Sequence, residues 1–192
     1  YSYSGTKDWN DFIENVFGKP NTEFLKIKKC YRSTKEIMEF ANKIIKNSKN
    51  ENLIPAEPVL RSGDKPIVIE CKNENSMISE IAGKILNLKN GGFKSIAIIC
   101  KTGEESKKVY NQLVELIDDD IQLISNNDTE YNGGIVVIPI YMAKGLEFDG
   151  VIIYNCTESS YSKEELDIKL LYVAVTRALH KLILYYCGCK SS

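Results

Sequence analysis

Short apolar runs alternate with amphipathic stretches along most of the chain. Most of the runs are continuously apolar, which is typical of strands that are covered on both faces. They predict strands at residues 24–27, 67–71, 96–100, 121–124, 135–138, 151–154 and 182–186. The stretches between them predict helices at residues 34–45, 75–88, 104–117 and 163–179. This alternation predicts an α/β three-layer sandwich with a mostly parallel central sheet, in which ligands are expected at the carboxyl ends of the strands.

The composition fits one domain with a substantial core. Of 192 residues, 43% are hydrophobic and 27% are charged, and the formal net charge is −1. These values exclude disordered, collagen-like and coiled-coil chains. The longest apolar stretch, residues 135–143, contains Pro139 and has about half the length that a membrane-spanning helix needs. The N-terminus resembles no targeting signal and lacks an initiator Met, so we expect a piece of a longer protein.

The cysteines predict free thiols rather than a metal centre. The six cysteines include no CxxC pair, and the chain has one histidine, His180. A structural zinc site requires paired ligands at short spacing, so no metal site is expected. Cys100 and Cys156 end strand-like runs, where a free cysteine acts as a small buried hydrophobe. Reduced thiols indicate a cytoplasmic location.

The chain contains no GxxxxGK[ST] phosphate-binding loop. A single histidine also makes general-base catalysis by imidazole a poor hypothesis. We therefore expect that the chain cannot carry out chemistry alone.

Three segments nevertheless have charged residues in unusual places. Arg177 lies on the apolar face of the predicted helix 163–179, where it needs either a carboxylate of this domain or an anion in a cleft. In residues 143–150, Lys144, Glu147 and Asp149 lie between two apolar strands. This segment is either an anion-binding turn, in which a strand is followed by Lys-Gly and a short helix, or a solvated turn. Tyr31 and Arg32 precede a predicted helix, a combination suited to a nucleotide base and phosphate.

In this order, the three segments resemble motifs of superfamily 1 helicases of the UvrD/Rep/PcrA type. Residues 30–33 (CYRS) resemble motif IV, residues 143–149 (AKGLEFD) motif V, and residues 171–179 (LYVAVTRAL) motif VI. The opening YSYSG, residues 1–5, resembles the tail of motif III. The resemblance implies that residues 1–192 form the second RecA-like domain, called 2A, of a larger protein, without a 2B insertion at residues 126–134. That fold is the P-loop NTPase fold without its own P-loop.

The resemblance also implies an ATP site shared with a missing N-terminal RecA-like domain, which would bind most of the Mg²⁺. By this resemblance, Tyr31 would stack on adenine, Arg32 would bind the γ-phosphate and Glu147 would bind the ribose hydroxyls. Gly145 would lie near the phosphates, and Arg177 would be the arginine finger. Single-stranded DNA would be contacted by two further residues, Tyr3, which would stack on a base, and Lys144.

Departures from the family pattern leave alternatives open. Pro139 and Tyr141 stand where the family commonly has Thr and His, and this version resembles the HelD branch, whose members act on RNA polymerase. The nearly neutral charge also indicates that any nucleic-acid contact is shared with the missing domain. Two alternatives to a DNA helicase are therefore a HelD-like factor that recycles RNA polymerase and a domain that has lost catalysis and only binds.

Overall fold

The computed structural model describes residues 29–30, 32–46, 57–58, 61–125, 131–188 and 191. The strand predicted at residues 24–27 lies outside this part of the chain. The described strands are β1 Lys29–Cys30, β2 Glu57–Pro58, β3 Ile67–Cys71, β4 Ser95–Cys100, β5 Ile121–Leu123, β6 Gly134–Pro139, β7 Phe148–Ile153 and β8 Ala178–Cys187. The described helices are α1 Lys35–Lys46, α2 Glu74–Asn90, α3 Gly103–Val114 and α4 Glu165–Val175.

Six strands form one sheet in the order β3-β8-β7-β4-β6-β5, and their pairings are parallel. Strands β1 and β2 form a separate parallel pair. Helices α1 and α4 supply buried residues to the core on one face of the large sheet, and α2 and α3 supply the core on the other face. The predicted three-layer α/β sandwich is confirmed.

The apolar runs are continuous because the strands are covered on both faces, as the sequence indicated. In β4, Ala97 and Ile99 belong to one core, whereas Ile96 and Ile98 belong to the other. Because both faces of this strand are covered, alternation between apolar and polar residues would bury polar groups without partners.

The last predicted helix is too long at its C-terminal end. Helix α4 ends at Val175, and β8 already begins at Ala178, so the prediction of helix to residue 179 is wrong. The Arg177 N–H donates to the Ala174 carbonyl at 3.1 Å, which tightens the final turn. Ala178 then pairs with Phe148 of β7. Pairing with the sheet overrides the helical pattern at this point, because local preferences are weak compared with tertiary contacts.

Residues 140–147 form a crossover over one face of the sheet, not a strand–turn–helix. The segment leaves β6 at the carboxyl edge and enters β7 at the amino edge, with β4 between the two parallel strands. It turns twice, with the Ala143 N–H donating to the Ile140 carbonyl and the Leu146 N–H donating to the Ala143 carbonyl, each at 3.2 Å. The predicted short helix is absent from these described residues, so no helix dipole supports anion binding there.

The thiols of Cys71, Cys100, Cys156 and Cys187 are free. Cys100 and Cys156 are buried, as predicted, and desolvation raises the pKa of Cys156 to about 12. Both thiols are therefore protonated core residues at neutral pH. Among the described helices, none has the length and apolarity that a bilayer crossing needs.

Candidate nucleotide-binding site

Two of the predicted site residues lie side by side at the amino edge of the sheet. Glu147 immediately precedes β7, and Arg177 immediately precedes β8. The Phe148 N–H donates to the Arg177 carbonyl at 3.0 Å, which fixes the two chain segments next to each other. The expectation that these residues gather at the carboxyl ends of the strands is wrong, because the crossover carries Glu147 to the opposite edge before the next strand begins.

Arg177 is half-buried in the turn between α4 and β8. Its Nε donates to the Val173 carbonyl at 3.1 Å, and its Nη1 donates to the Leu146 carbonyl at 3.2 Å. Its Nη2 lies 3.4 Å from the Thr176 hydroxyl. The C-terminal carbonyls of a helix carry partial negative charge and favour a cation. These contacts hold the guanidinium between the end of α4 and the crossover.

Arg32 reaches the same edge from a different part of the chain. It lies just before α1, and its Nε forms an ion pair with the Glu147 carboxylate. The two side chains are 44% and 36% exposed, so solvent screens the pair and it adds little to stability. The structure thus brings Arg32, Glu147 and Arg177 together, with Leu146 linking Glu147 to Arg177.

The turn before Glu147 depends on a glycine. Gly145 has a φ of 89°, a left-handed conformation that disfavours residues with a β-carbon, and no atom lies within 4 Å of the position of a Cβ. Lys144 and Gly145 are exposed. The turn therefore presents open backbone and a lysine next to the Arg32–Glu147 pair.

Asp149, the last residue of the AKGLEFD segment, has a structural role. Its Oδ2 accepts hydrogen bonds from the backbone N–H groups of Lys94 at 2.9 Å and Ser95 at 3.0 Å. Burial alone would raise its pKa, but these backbone donors, the Ser95 hydroxyl and His180 lower the pKa below its usual value. Asp149 therefore ties the start of β7 to the start of β4 rather than facing a ligand.

Two protein-family profiles match the chain, and both are described as UvrD-like helicase C-terminal domain. One matches residues 25–117, which include Arg32, and the other matches residues 134–185, which include Glu147 and Arg177. Together they span most of the chain. The chain belongs to the UvrD-like helicase C-terminal domain family.

Two curated relatives of the chain are named as probable DNA helicases. The chain is 32% identical over 117 residues to a probable DNA helicase II homolog of Mycoplasma capricolum subsp. capricolum, covering 59% of the chain and 16% of that protein. It is 25% identical over 198 residues to a probable DNA helicase of Mycoplasma pneumoniae, covering 92% of the chain and 35% of that protein. The chain thus spans about a third or less of the length of these curated relatives.

A solved structure supports the RecA-like fold. The C-terminal domain of a possible DNA helicase from Lactobacillus plantarum WCFS1 has a TM-score of 0.68 and 29% identity, with 84% of this chain and 89% of that chain covered. The UvrD-like domain therefore has the RecA-like helicase C-terminal fold.

Other residues singled out in the sequence of the UvrD-like domain lie outside the described part of the chain or at the opposite edge of the sheet. Tyr3 and Tyr31 lie outside the described residues, so adenine stacking and base stacking stay predictions. Pro139 is buried at the end of β6, and Tyr141 is 52% exposed in the crossover that follows. These two residues are at the carboxyl edge, where the crossover begins.

A group of contacts that no sequence motif indicates lies beside Asp149. Arg61 Nη2 lies 2.7 Å from Nδ1 of His180, and His180 Nε2 lies 3.9 Å from Oδ1 of Asp149. Arg61 and His180 are separated by 119 positions, and neither belongs to a recognised motif. Only a pattern linking distant positions could have indicated this contact.

Replacing Asp149 by alanine is expected to lower the free energy of unfolding by about 1–3 kcal/mol at neutral pH, because the Lys94 and Ser95 N–H groups lose their acceptor. The pKa of Asp149 is lower in the folded than in the unfolded state. Its contribution is therefore complete above the unfolded pKa of about 3.9 and is lost as the pH falls through the folded pKa.

Urea unfolding from pH 7 to pH 2 measures this effect, with the exposed Asp120→Ala as the matched control. A difference between the Asp149→Ala variant and the wild-type protein that stays constant down to pH 2 would contradict the assignment.

Proposed function

We propose that residues 1–192 act as the second RecA-like domain of an ATP-dependent superfamily 1 DNA helicase or translocase. In this role the domain supplies half of an ATP site whose other half belongs to an N-terminal RecA-like domain. The observation that carries the proposal is the meeting of Arg32, Glu147 and Arg177 at one edge of the sheet. Two cations and one carboxylate fit a nucleotide, which offers phosphates and ribose hydroxyls.

In the proposed ATP site, Arg32 binds the γ-phosphate and Glu147 accepts hydrogen bonds from the ribose hydroxyls. The two side chains pair with each other, and the pair is exposed enough to exchange partners at small cost. ATP would replace the carboxylate beside Arg32 with phosphate oxygens and release Glu147 for the ribose. Tyr31 would stack on adenine, and Gly145 would allow close approach of the phosphates.

Arg177 is proposed as the arginine finger. Its Nε and Nη1 are directed by carbonyl oxygens of α4 and of the crossover, so the guanidinium needs little reorganisation. A preoriented cation stabilises the charge that develops on the transferred phosphoryl group.

Mg²⁺ is assigned mainly to the N-terminal domain. Within the described residues there is no group of three or more His, Cys, Asp or Glu side chains arranged to hold a metal ion. Mg²⁺ bound by the N-terminal domain would neutralise phosphate charge, while Arg32 and Arg177 would act on the phosphates from the opposite side of the ATP site.

Single-stranded DNA is the proposed nucleic-acid partner, with Tyr3 and Lys144 as contacts. The proposal is supported by the relatives, whose names describe probable DNA helicases. The alternative of RNA polymerase as the partner depends on the HelD-like version of residues 139–149 and on the ending TRALHK, residues 176–181. ATP-driven action in the cytoplasm is part of the same proposal.

ATP turnover by the full-length protein tests the proposal, measured alone, with single-stranded DNA and with core RNA polymerase. We expect strong stimulation by DNA. Turnover that ignores DNA, together with ATP-dependent release of bound polymerase, would replace the DNA helicase by the HelD-like alternative. Turnover absent under all three conditions would favour a domain that only binds.

Replacing Glu147 by alanine is expected to raise the KM for ATP by about tenfold or more, because hydrogen bonds to a charged group contribute about 1.5–3 kcal/mol. The loss should shrink for a 2′,3′-dideoxy ATP, which lacks the ribose hydroxyls. The matched control is Glu115→Ala, an exposed glutamate at the end of α3. An equal loss with both nucleotides would contradict the ribose assignment.

A further inference from the structure

A short segment, residues 61–64, contacts both the chain that follows Arg32 and the chain that follows Arg177 in the proposed nucleotide site. On one side it contacts the first turn of α1, which begins three residues after Arg32. The Lys35 N–H donates to the Arg61 carbonyl at 2.8 Å, and the Gly63 N–H donates to Glu36 Oε2 at 2.8 Å. The first bond satisfies an N–H group at the start of α1 that has no partner within the helix, and the second joins the Glu36 side chain of α1 to the segment.

On its other side, the 61–64 segment contacts the beginning of β8, which directly follows Arg177. Arg61 Nη2 lies 2.7 Å from Nδ1 of His180, and Lys181 Nζ donates to Asp64 Oδ2 at 2.6 Å. Arg61 Nη2 also lies 3.1 Å from Nε2 of the same imidazole ring, so the contact involves both ring nitrogens. The segment therefore joins the chain after Arg32 to the chain after Arg177.

Gly63 determines how closely the 61–64 segment approaches α1. A Cβ at this position would lie 3.0 Å from Thr34 Cβ and closer still to Thr34 Cγ2. Thr34 is 2% exposed, so the packed atoms around it limit how far it can shift away from an added Cβ. The φ of Gly63 is outside the left-handed region, so the requirement for glycine is one of space.

We propose that residues 61–64 are a positioning element that sets the place of Arg32 relative to Arg177. This inference rests on the proposed function, because it concerns the same site. None of the four residues contacts the nucleotide in this proposal. They act through the first turn of α1, and small errors in position are costly at a site where charged groups meet phosphates.

A double-mutant cycle in the full-length protein tests the positioning role. Gly63→Ala is expected to lower kcat/KM for ATP about tenfold or more in the wild-type background. In the Arg32→Ala background the same change should lower it by less than about twofold, because the residue that the segment positions is already absent. Assays are run well below the thermal unfolding midpoint of each variant.

The chain offers matched controls for this cycle. Gly83→Ala adds a Cβ at a position with no atom within 4 Å, and it should leave kcat/KM unchanged. Thr34→Ser removes Cγ2 and should recover part of the loss in the Gly63→Ala variant. If Gly63→Ala does not fold, Arg61→Ala removes the His180 contact without a steric clash and enters the same cycle.

The outcomes separate this inference from the proposed function. An equal loss from Gly63→Ala in both backgrounds, or no loss in either, would overturn the positioning role while Arg32→Ala still lowers kcat/KM. If Arg32→Ala itself has no effect, the proposed nucleotide site fails, and the positioning role fails with it.

Discussion

Replacing Arg177 by alanine is expected to lower the kcat for ATP turnover of the full-length protein by about 10³-fold or more. The guanidinium is held beside Glu147 by the Val173 and Leu146 carbonyls. Its proposed role concerns charge that develops in the transition state, so the KM for ATP should change much less than kcat. Steady-state kinetics at saturating DNA measure both constants.

Two further variants make the Arg177 result interpretable. Arg177→Lys keeps the charge but loses the fork of donors, and it should recover only part of the activity. Lys107→Ala removes an exposed cation on α3, far along the chain from the site segments, and should be neutral. A kcat for Arg177→Ala within a few-fold of the wild-type value would refute the arginine finger.

Replacing Asp167 by alanine is expected to lower the free energy of unfolding by about 3 kcal/mol or more, a larger loss than for the Asp149→Ala variant. Asp167 is 8% exposed, and its Oδ1 lies 2.6 Å from Lys101 Nζ. Its Oδ2 accepts hydrogen bonds from the Ser162 N–H at 3.0 Å and the Ser162 hydroxyl at 2.8 Å. Removal of the carboxylate leaves a half-buried ammonium without its ion-pair partner.

The pH dependence provides a second measurement on Asp167. Burial alone would raise its pKa, but Lys101 and Ser162 outweigh burial and lower the pKa in the folded state. The stabilisation is therefore complete above the unfolded pKa of about 3.9 and disappears as the pH falls through the folded pKa. Chemical denaturation of wild type and Asp167→Ala across this range should show the difference narrowing at acid pH.

The matched control for Asp167 is Asp118→Ala, which removes an exposed carboxylate. A change below about 0.5 kcal/mol is expected for it, as for most surface substitutions. A similarly small change for Asp167→Ala would show that the buried pair contributes little. Asp167 lies in the first turn of α4, and Arg177 follows the last turn of the same helix. ATP turnover by the Asp167→Ala variant therefore also tests whether the proposed nucleotide site needs this anchored helix.

The amino-acid sequence by itself determined the layers of the fold. Strands such as β4 are buried on both faces, and burial on both faces forces a continuous apolar run that can be read directly. The sequence also determined the family, because residues 143–149 and 171–179 are contiguous segments whose order and composition are specific. The burial of Cys100 and Cys156 followed from the same apolar runs.

Only the tertiary structure decided where the site residues lie. Helix α4 stops at Val175 because Ala178 pairs with Phe148, a contact between segments that no local pattern contains. The crossover places Glu147 at the amino edge, where Arg32 pairs with it and Arg177 bonds to its neighbour Leu146. The ladder register and the packing of distant segments set these positions. Such long-range contacts leave no periodic signal in the chain.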